Sequence, residues 1–186
     1  SAFYDDKYLK NVTFGAGIKS IGSNAFYNCL SISELNFFDG LDRIYSDAFR
    51  NCKSISLVTL PNTLSSIGNS AFYNCERITS VHIPDKVTEI QGGCFTNCHL
   101  LKKVTIGSGC TSISPTAFTG ANSIEEIIVE EDNKKYTSVD GVLYNNDKTT
   151  LVLYPKGRRG NFTIPDAVTT IAERAFERCN HITDRK

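Results

Sequence analysis

Four stretches of this chain are nearly the same nine residues. IGSNAFYNC spans 21–29, IYSDAFRNC 44–52, IGNSAFYNC 67–75 and IQGGCFTNC 90–98. A fixed period of 23 residues constrains the fold strongly, because a unit that short cannot bury its own apolar side and must stack on its neighbours. Several columns share the period: Ile21, Ile44, Ile67, Ile90 and Ile113; Phe26, Phe49, Phe72, Phe95 and Phe118; Cys29, Cys52, Cys75 and Cys98, with Ala121 next. Val12/Phe14, Leu35/Phe37, Val58/Leu60, Val81/Ile83, Val104/Ile106 and Ile127/Val129 form a fourth. Ile32, Ile55, Ile78, Leu101 and Ile124 form a fifth.

Each unit reads as one coil. In Ile55–Pro61, Val58 and Leu60 alternate with Leu57 and Thr59, the period-two pattern of a half-buried strand. Proline follows at 61, 84 and 165 and ends the strand, since it has no amide donor for a ladder. A turn leads to the inward isoleucine, and SAFYNC returns the chain through a short helical or irregular segment. Stacked coils then give parallel strands about 4.8 Å apart. The phenylalanines form an aromatic spine, each burial contributing roughly 1.5–3 kcal/mol.

One repeat departs from the period. The next match after Ala121 is Cys179, so this repeat runs to 35 residues, and its apolar half is replaced by DGVLYNNDKTTLVLYP at 140–155. Val142–Tyr144 and Leu151–Tyr154 flank an Asn-Asn-Asp-Lys turn, which predicts a β-hairpin within an atypical repeat over 130–160. SAFYDD at 1–6 is in register with SAFYNC, so the sequence opens in mid-repeat. The expectation is one solenoid domain over 1–186, cut from a longer array, with ends able to self-associate.

The phrase SIGNSAFYNCERITSVHIPDKVTEIQGGCF and the insert SVDGVLYNNDKTTLVLYP resemble the BspA-like, Treponema-type leucine-rich repeat. That resemblance implies a leucine-rich-repeat solenoid with a parallel sheet on its concave face. It also implies a cell-surface or secreted protein, since members are mostly surface proteins of host-associated bacteria and some parasitic protists, several of them adhesins for host matrix proteins or other cells.

Charge is balanced, with 20 basic and 20 acidic residues, which argues against a global attraction to nucleic acid or an anionic membrane. No apolar run reaches the roughly 18 residues of a membrane span. Of the seven cysteines, Cys29, Cys52, Cys75, Cys98 and Cys179 occupy one inward column and read as packing thiols rather than disulfides. Cys94 reads as core and Cys110, in a turn, as the exposed thiol. CFTNCH at 94–99 lacks a second ligand pair at zinc-site spacing, so no metal or cofactor is expected. His82, His99 and His181 have no nucleophile and orienting carboxylate at usable spacing, and no hydrolase or phosphate-loop motif occurs, so no enzyme is expected. Sequons stand at Asn11 and Asn161, both read as strand positions, and KGRRG at 156–160 reads as a solvated basic turn.

Outward strand positions are the candidate binding residues: Glu34, Asn36, Leu57, Thr59, Ser80, His82, Lys103, Thr105, Glu126 and Ile128. Tyr144 and Tyr154 of the hairpin complete the set, since insertions between repeats often carry recognition. The function expected is non-catalytic protein binding or adhesion, to a host matrix or cell-surface protein. A structural spacer and a glycan-binding module using the hairpin tyrosines stand as alternatives.

Overall fold

The structure, a computed structural model, describes residues 1–185; Lys186 lies outside them. The chain winds as a solenoid of about seven coils. Each regular coil contributes a longer strand and a two-residue strand. The longer ones are β2 (Glu34–Asn36), β4 (Leu57–Thr59), β6 (Ser80–Ile83), β8 (Lys103–Ile106) and β10 (Glu126–Val129). The short ones are β1 (Ser20–Ile21), β3 (Arg43–Ile44), β5 (Ser66–Ile67), β7 (Glu89–Ile90) and β9 (Ser112–Ile113). All pair in parallel with a register step of one repeat, as in Leu35 against Val58 and Val81 against Val104.

The inward residues are buried as their pattern requires. Leu35, Val58, Val81, Val104 and Ile127 point into the core, while Glu34, Leu57, Ser80, Lys103 and Glu126 stay exposed. The aromatic spine runs from Phe3 through Phe26, Phe49, Phe72 and Phe95 to Phe118, with ring centroids 5.2–5.7 Å apart and near-parallel planes.

Of the helical or irregular segment expected on the convex wall, the irregular form is found: among the described residues the wall is built of turns. In five coils two residues four apart adopt left-handed backbone, as in Asn24 (φ 56°) and Asn28 (φ 59°), or Asp47 (φ 57°) and Asn51 (φ 62°). That alternation leaves every second amide pointing along the solenoid axis. Asn24, Phe26 and Asn28 donate to the carbonyls of Ser46, Ala48 and Arg50 in the next coil, at 3.1, 2.8 and 2.9 Å. A helix would have spent these amides within its own coil; the wall spends them between coils.

Two side-chain ladders reinforce this wall. Asn51, Asn74 and Asn97 each donate Nδ2 to Oδ1 of the preceding asparagine, at 2.7, 2.9 and 2.9 Å, and Asn28 donates to Asp5 at 3.2 Å. Gly120 (φ +74°) ends the ladder, because a Cβ there would collide with Asn97 Oδ1. The thiols of Cys29, Cys52, Cys75 and Cys98 donate to the carbonyls of Phe3, Phe26, Phe49 and Phe72, at 3.0–3.4 Å. All seven cysteines are buried, so the expectation that Cys110 is exposed is corrected. It shares a core column with Leu41, Leu64 and Val87 that continues the 23-residue period.

The insert is larger than a hairpin. It is a three-stranded antiparallel meander of β11 (Tyr136–Val139), β12 (Val142–Asn145) and β13 (Thr150–Leu153), with Asp140–Gly141 as the first turn. Asn133 launches it. Buried in the core column after Cys110, it donates to the carbonyls of Gly107 and Cys110 at 2.9 and 3.0 Å, and its Oδ1 accepts from the amides of Lys135 and Tyr136 at 2.8 Å each. β12 is buried on both faces: Leu143 packs into the main core, while Val142 and Tyr144 join a second core with Leu151, Tyr154, Ala175, Cys179 and Ile182.

β13 then returns to the solenoid, pairing in parallel with β15 (Thr170–Ile171), and β14 (Gly160–Phe162) pairs with β16 (Ile182–Arg185). Tyr154 takes a place in the ring column, 5.3 Å from Phe176, and its amide donates to Ala175. Leu151 to Tyr154 spans in three steps what Ile113 to Phe118 spans in five. A small cavity of about 80 Å³, lined by Phe118, Val152, Leu153, Lys156 and Ala172, marks the shortfall.

Candidate functional site

The strand registers bring the candidate residues into two columns. Glu34 stands beside Leu57, and Ser80, Lys103 and Glu126 lie in line on β6, β8 and β10. The second column places Asn36 beside Thr59, and His82, Thr105 and Ile128 in line. Sequence alternation dictates this, since residues two apart on a strand share a face.

The face is mostly open. Glu34, Asn36, Leu57, Thr59, Ser80, His82, Lys103 and Glu126 are exposed; Thr105 and Ile128 are half-buried. Leu57 is 48% exposed among polar neighbours. Lys103 and Glu126 pair at 3.4 Å, both half in solvent, so the pair fixes side-chain positions more than it stabilises. A shallow groove at the first strands is lined by Lys10, Asn11, Thr13, Ser33, Glu34 and Asn36. On the far side the insert meets β10: Ile127 donates to the Gly141 carbonyl and Val129 to Ser138 Oγ, each at 3.0 Å. The face therefore runs from β2 to β10.

Tyr144 and Tyr154 do not belong to it. They are 2% and 1% exposed, packed in the second core, and burial raises both phenols above their ordinary value. The hairpin reading took them for surface residues because a two-stranded hairpin has an open face; the extra strand and the coil beyond close it. Asn161 is exposed on β14, while Asn11 is exposed but lies outside any strand. No group of three or more His, Cys, Asp or Glu side chains placed to hold a metal ion occurs among the described residues.

The sequence reading missed an outer column. Tyr4, Tyr27, Arg50 and Tyr73 recur at the repeat period on the convex wall. Tyr4 stacks on Tyr27 at 4.9 Å, and the Arg50 guanidinium lies over Tyr73 at 4.2 Å while pairing with Asp47 at 3.0 Å. The 23-residue spacing was the available signal.

Parallel coils, a strand-built concave face and a turn-built convex wall define a leucine-rich-repeat solenoid. The chain belongs to the BspA type leucine rich repeat region family, whose pattern matches in six copies over residues 1–53, 19–150 and 154–185. No curated protein matches the sequence. Among solved structures, the chain is similar to the pneumococcal vaccine antigen PcpA, at 26% identity and a TM-score of 0.80, over 91% of this chain and 43% of that one. It is also similar to a leucine rich cell surface protein from Faecalibacterium prausnitzii A2-165, at 27% identity and a TM-score of 0.65, over 90% of this chain and 52% of that one. The T. pallidum leucine rich repeat protein shares the fold, at 18% identity and a TM-score of 0.61, over 89% of this chain and 72% of that one. The chain spans about half the length of the first two. The repeat fold is typically a non-catalytic scaffold for protein interaction.

Proposed function

We propose that this chain is a protein-binding module of a cell-surface or secreted adhesin-type protein, and that it engages its ligand through the concave columns. The observation that carries the reading is the composition of that face. Small polar side chains at Asn36, Thr59, Ser80 and Thr105 keep the sheet accessible, Leu57 supplies exposed apolar area, and Glu34, Lys103 and Glu126 supply separated charges. Such a mixture of one apolar contact within a polar, charge-patterned surface suits a protein ligand. The likeness to a vaccine antigen and to a cell surface protein supports a surface or secreted setting, where the partner we propose is a host matrix or cell-surface protein. The glycan alternative relied on hairpin tyrosines as stacking platforms, and the burial of Tyr144 and Tyr154 takes that platform away.

A solid-phase binding screen against matrix proteins and glycans tests this, comparing the native chain with a Thr59→Arg/Thr105→Arg variant that keeps its circular dichroism. Saturable protein binding, reduced about tenfold or more in the variant, is the expected result. Binding equal in both moves the site off the concave face. No saturable ligand for either favours a structural spacer.

A further inference from the structure

We propose that the seam between residues 118–120 and residues 152–156 is a binding site for a small oxyanion, a carboxylate or a phosphate. The site shares no residue with the concave columns and does not depend on that reading. At the regular boundaries of the convex wall the amides of one coil reach carbonyls of the next, as in Phe72 to Cys94 and Phe95 to Ala117. At this boundary they do not. The amides of Phe118 and Gly120 meet no acceptor among the described residues. A third donor is stranded with them. Thr96 Oγ1, one coil earlier, donates across the boundary to the Thr116 carbonyl at 3.0 Å, whereas Thr119 Oγ1 in the same column is buried and has no partner among the described residues. The cause is the short return of β13, which brings too few residues to rebuild the acceptor row, and the cavity of about 80 Å³ lies in the gap.

What selects an anion is the charge facing that gap. Lys156 takes the place of the ladder asparagine in its coil, and its side chain is 3% exposed. A buried ammonium needs partners for three hydrogens. Its one polar contact among the described residues is Glu177 Oε2, at 3.4 Å. That carboxylate is already shared, since its Oε1 takes Arg174 Nη1 at 3.3 Å. The acid on the cavity wall, Glu173, is 72% exposed and pairs with Arg174 Nε at 3.5 Å. Two cations therefore share one partly buried carboxylate, and the charge turned toward the cavity is positive. An oxyanion offers what the seam lacks, a negative charge and several acceptor atoms in one small group. Lys156 and Phe118 border the cavity itself, and Thr119 and Gly120 follow Phe118 in the same turn. Gly120 is left-handed (φ +74°), so these successive amides form the kind of concave turn that holds anions through backbone donors, with the ammonium adding a charge-assisted bond.

Titrating the 186-residue chain with inorganic phosphate and, separately, with acetate tests the proposal, at an ionic strength held constant with chloride. Backbone amide resonances are followed by NMR, and thermal midpoints in parallel. The expected result is a saturable shift of the Phe118 and Gly120 amides with at least one of the two anions, and a midpoint that rises with it. A response to acetate alone assigns a carboxylate, to phosphate alone a phosphate, and to both a site that reads charge and acceptors without regard to shape. Lys156→Met removes the response, and Thr119→Val weakens it about tenfold. The amide shifts need only the native chain, so they decide the matter even where Lys156→Met does not fold. Silent amides at both positions with both anions overturn the proposal. So do shifts that chloride alone reproduces, and saturable binding that survives in folded Lys156→Met.

Discussion

Asn133 does with one side chain what the rest of its column does with apolar atoms. Its amide makes four hydrogen bonds inside the core, tying the start of the insert to the coil before it. Removing it strands the buried Cys110 carbonyl and two amides, and leaves the Gly107 carbonyl with the Cys110 amide alone. Asn133→Ala should lower stability by about 2–4 kcal/mol, measured by urea unfolding, whereas Asn122→Ala on the exposed surface should be near neutral. The residue was legible in the sequence as a polar intruder in the Leu41, Leu64, Val87, Cys110 column, but only once that column is traced. Left-handed backbone is the other residue-scale device. Asn74 (φ 57°) combines that conformation with a rung of the amide ladder. Asn74→Ala should cost about 1–3 kcal/mol, and Asn74→Gly less, because glycine keeps the conformation and loses only the rung. Paired thermal melts of the two variants separate the contributions.

At the scale of the element, the longer strands and the ring column were written in the spacing, because period two and period 23 each report burial directly, whereas the two-residue strands read only as a turn and an inward isoleucine. The convex wall was not. SAFYNC has no pattern that distinguishes a helical turn from alternating right- and left-handed turns; what decides is the acceptor row on the neighbouring coil. The insert was half legible. Val142–Tyr144 and Leu151–Tyr154 gave two strands, but YTSV at β11 lacks apolar alternation and the burial of β12 on both faces depends on coils far along the chain. The thiol column sets an alkaline limit on the elements it joins. Burial pushes the Cys29 thiol from 9.0 up to about 11, and Cys52, Cys75 and Cys98 higher still. Folded-state values above the unfolded ones mean stability holds below pH 9 and declines as the pH rises above it, by up to about 1.4 kcal/mol per pH unit for each thiol. Urea midpoints between neutral pH and pH 11 should show that decline, and Cys52→Ala/Cys75→Ala should flatten it.

For the whole molecule, β12 is the joint between a long core and a short one. Leu143 belongs to the first and its neighbours Val142 and Tyr144 to the second. Leu143→Ala should cost about 2–5 kcal/mol and, by loosening the joint, split unfolding into two steps, the coils after residue 150 opening first. Hydrogen exchange resolved by segment would register the order, and a single cooperative loss of protection would count against it. The candidate binding face was legible at this scale because exposure on a strand follows from alternation alone; the hairpin tyrosines were misread because their burial is a property of two cores meeting.

The one-way run of amides along the convex wall has an electrostatic consequence. Each link aligns a peptide dipole, about 3.5 D, with the solenoid axis. From Phe3 to Thr119 the wall therefore carries a field of its own, negative toward the earlier coils and positive toward the later ones, oriented opposite to that of an α-helix read in the same chain direction. A protein with no net charge is, along this axis, a polarised rod.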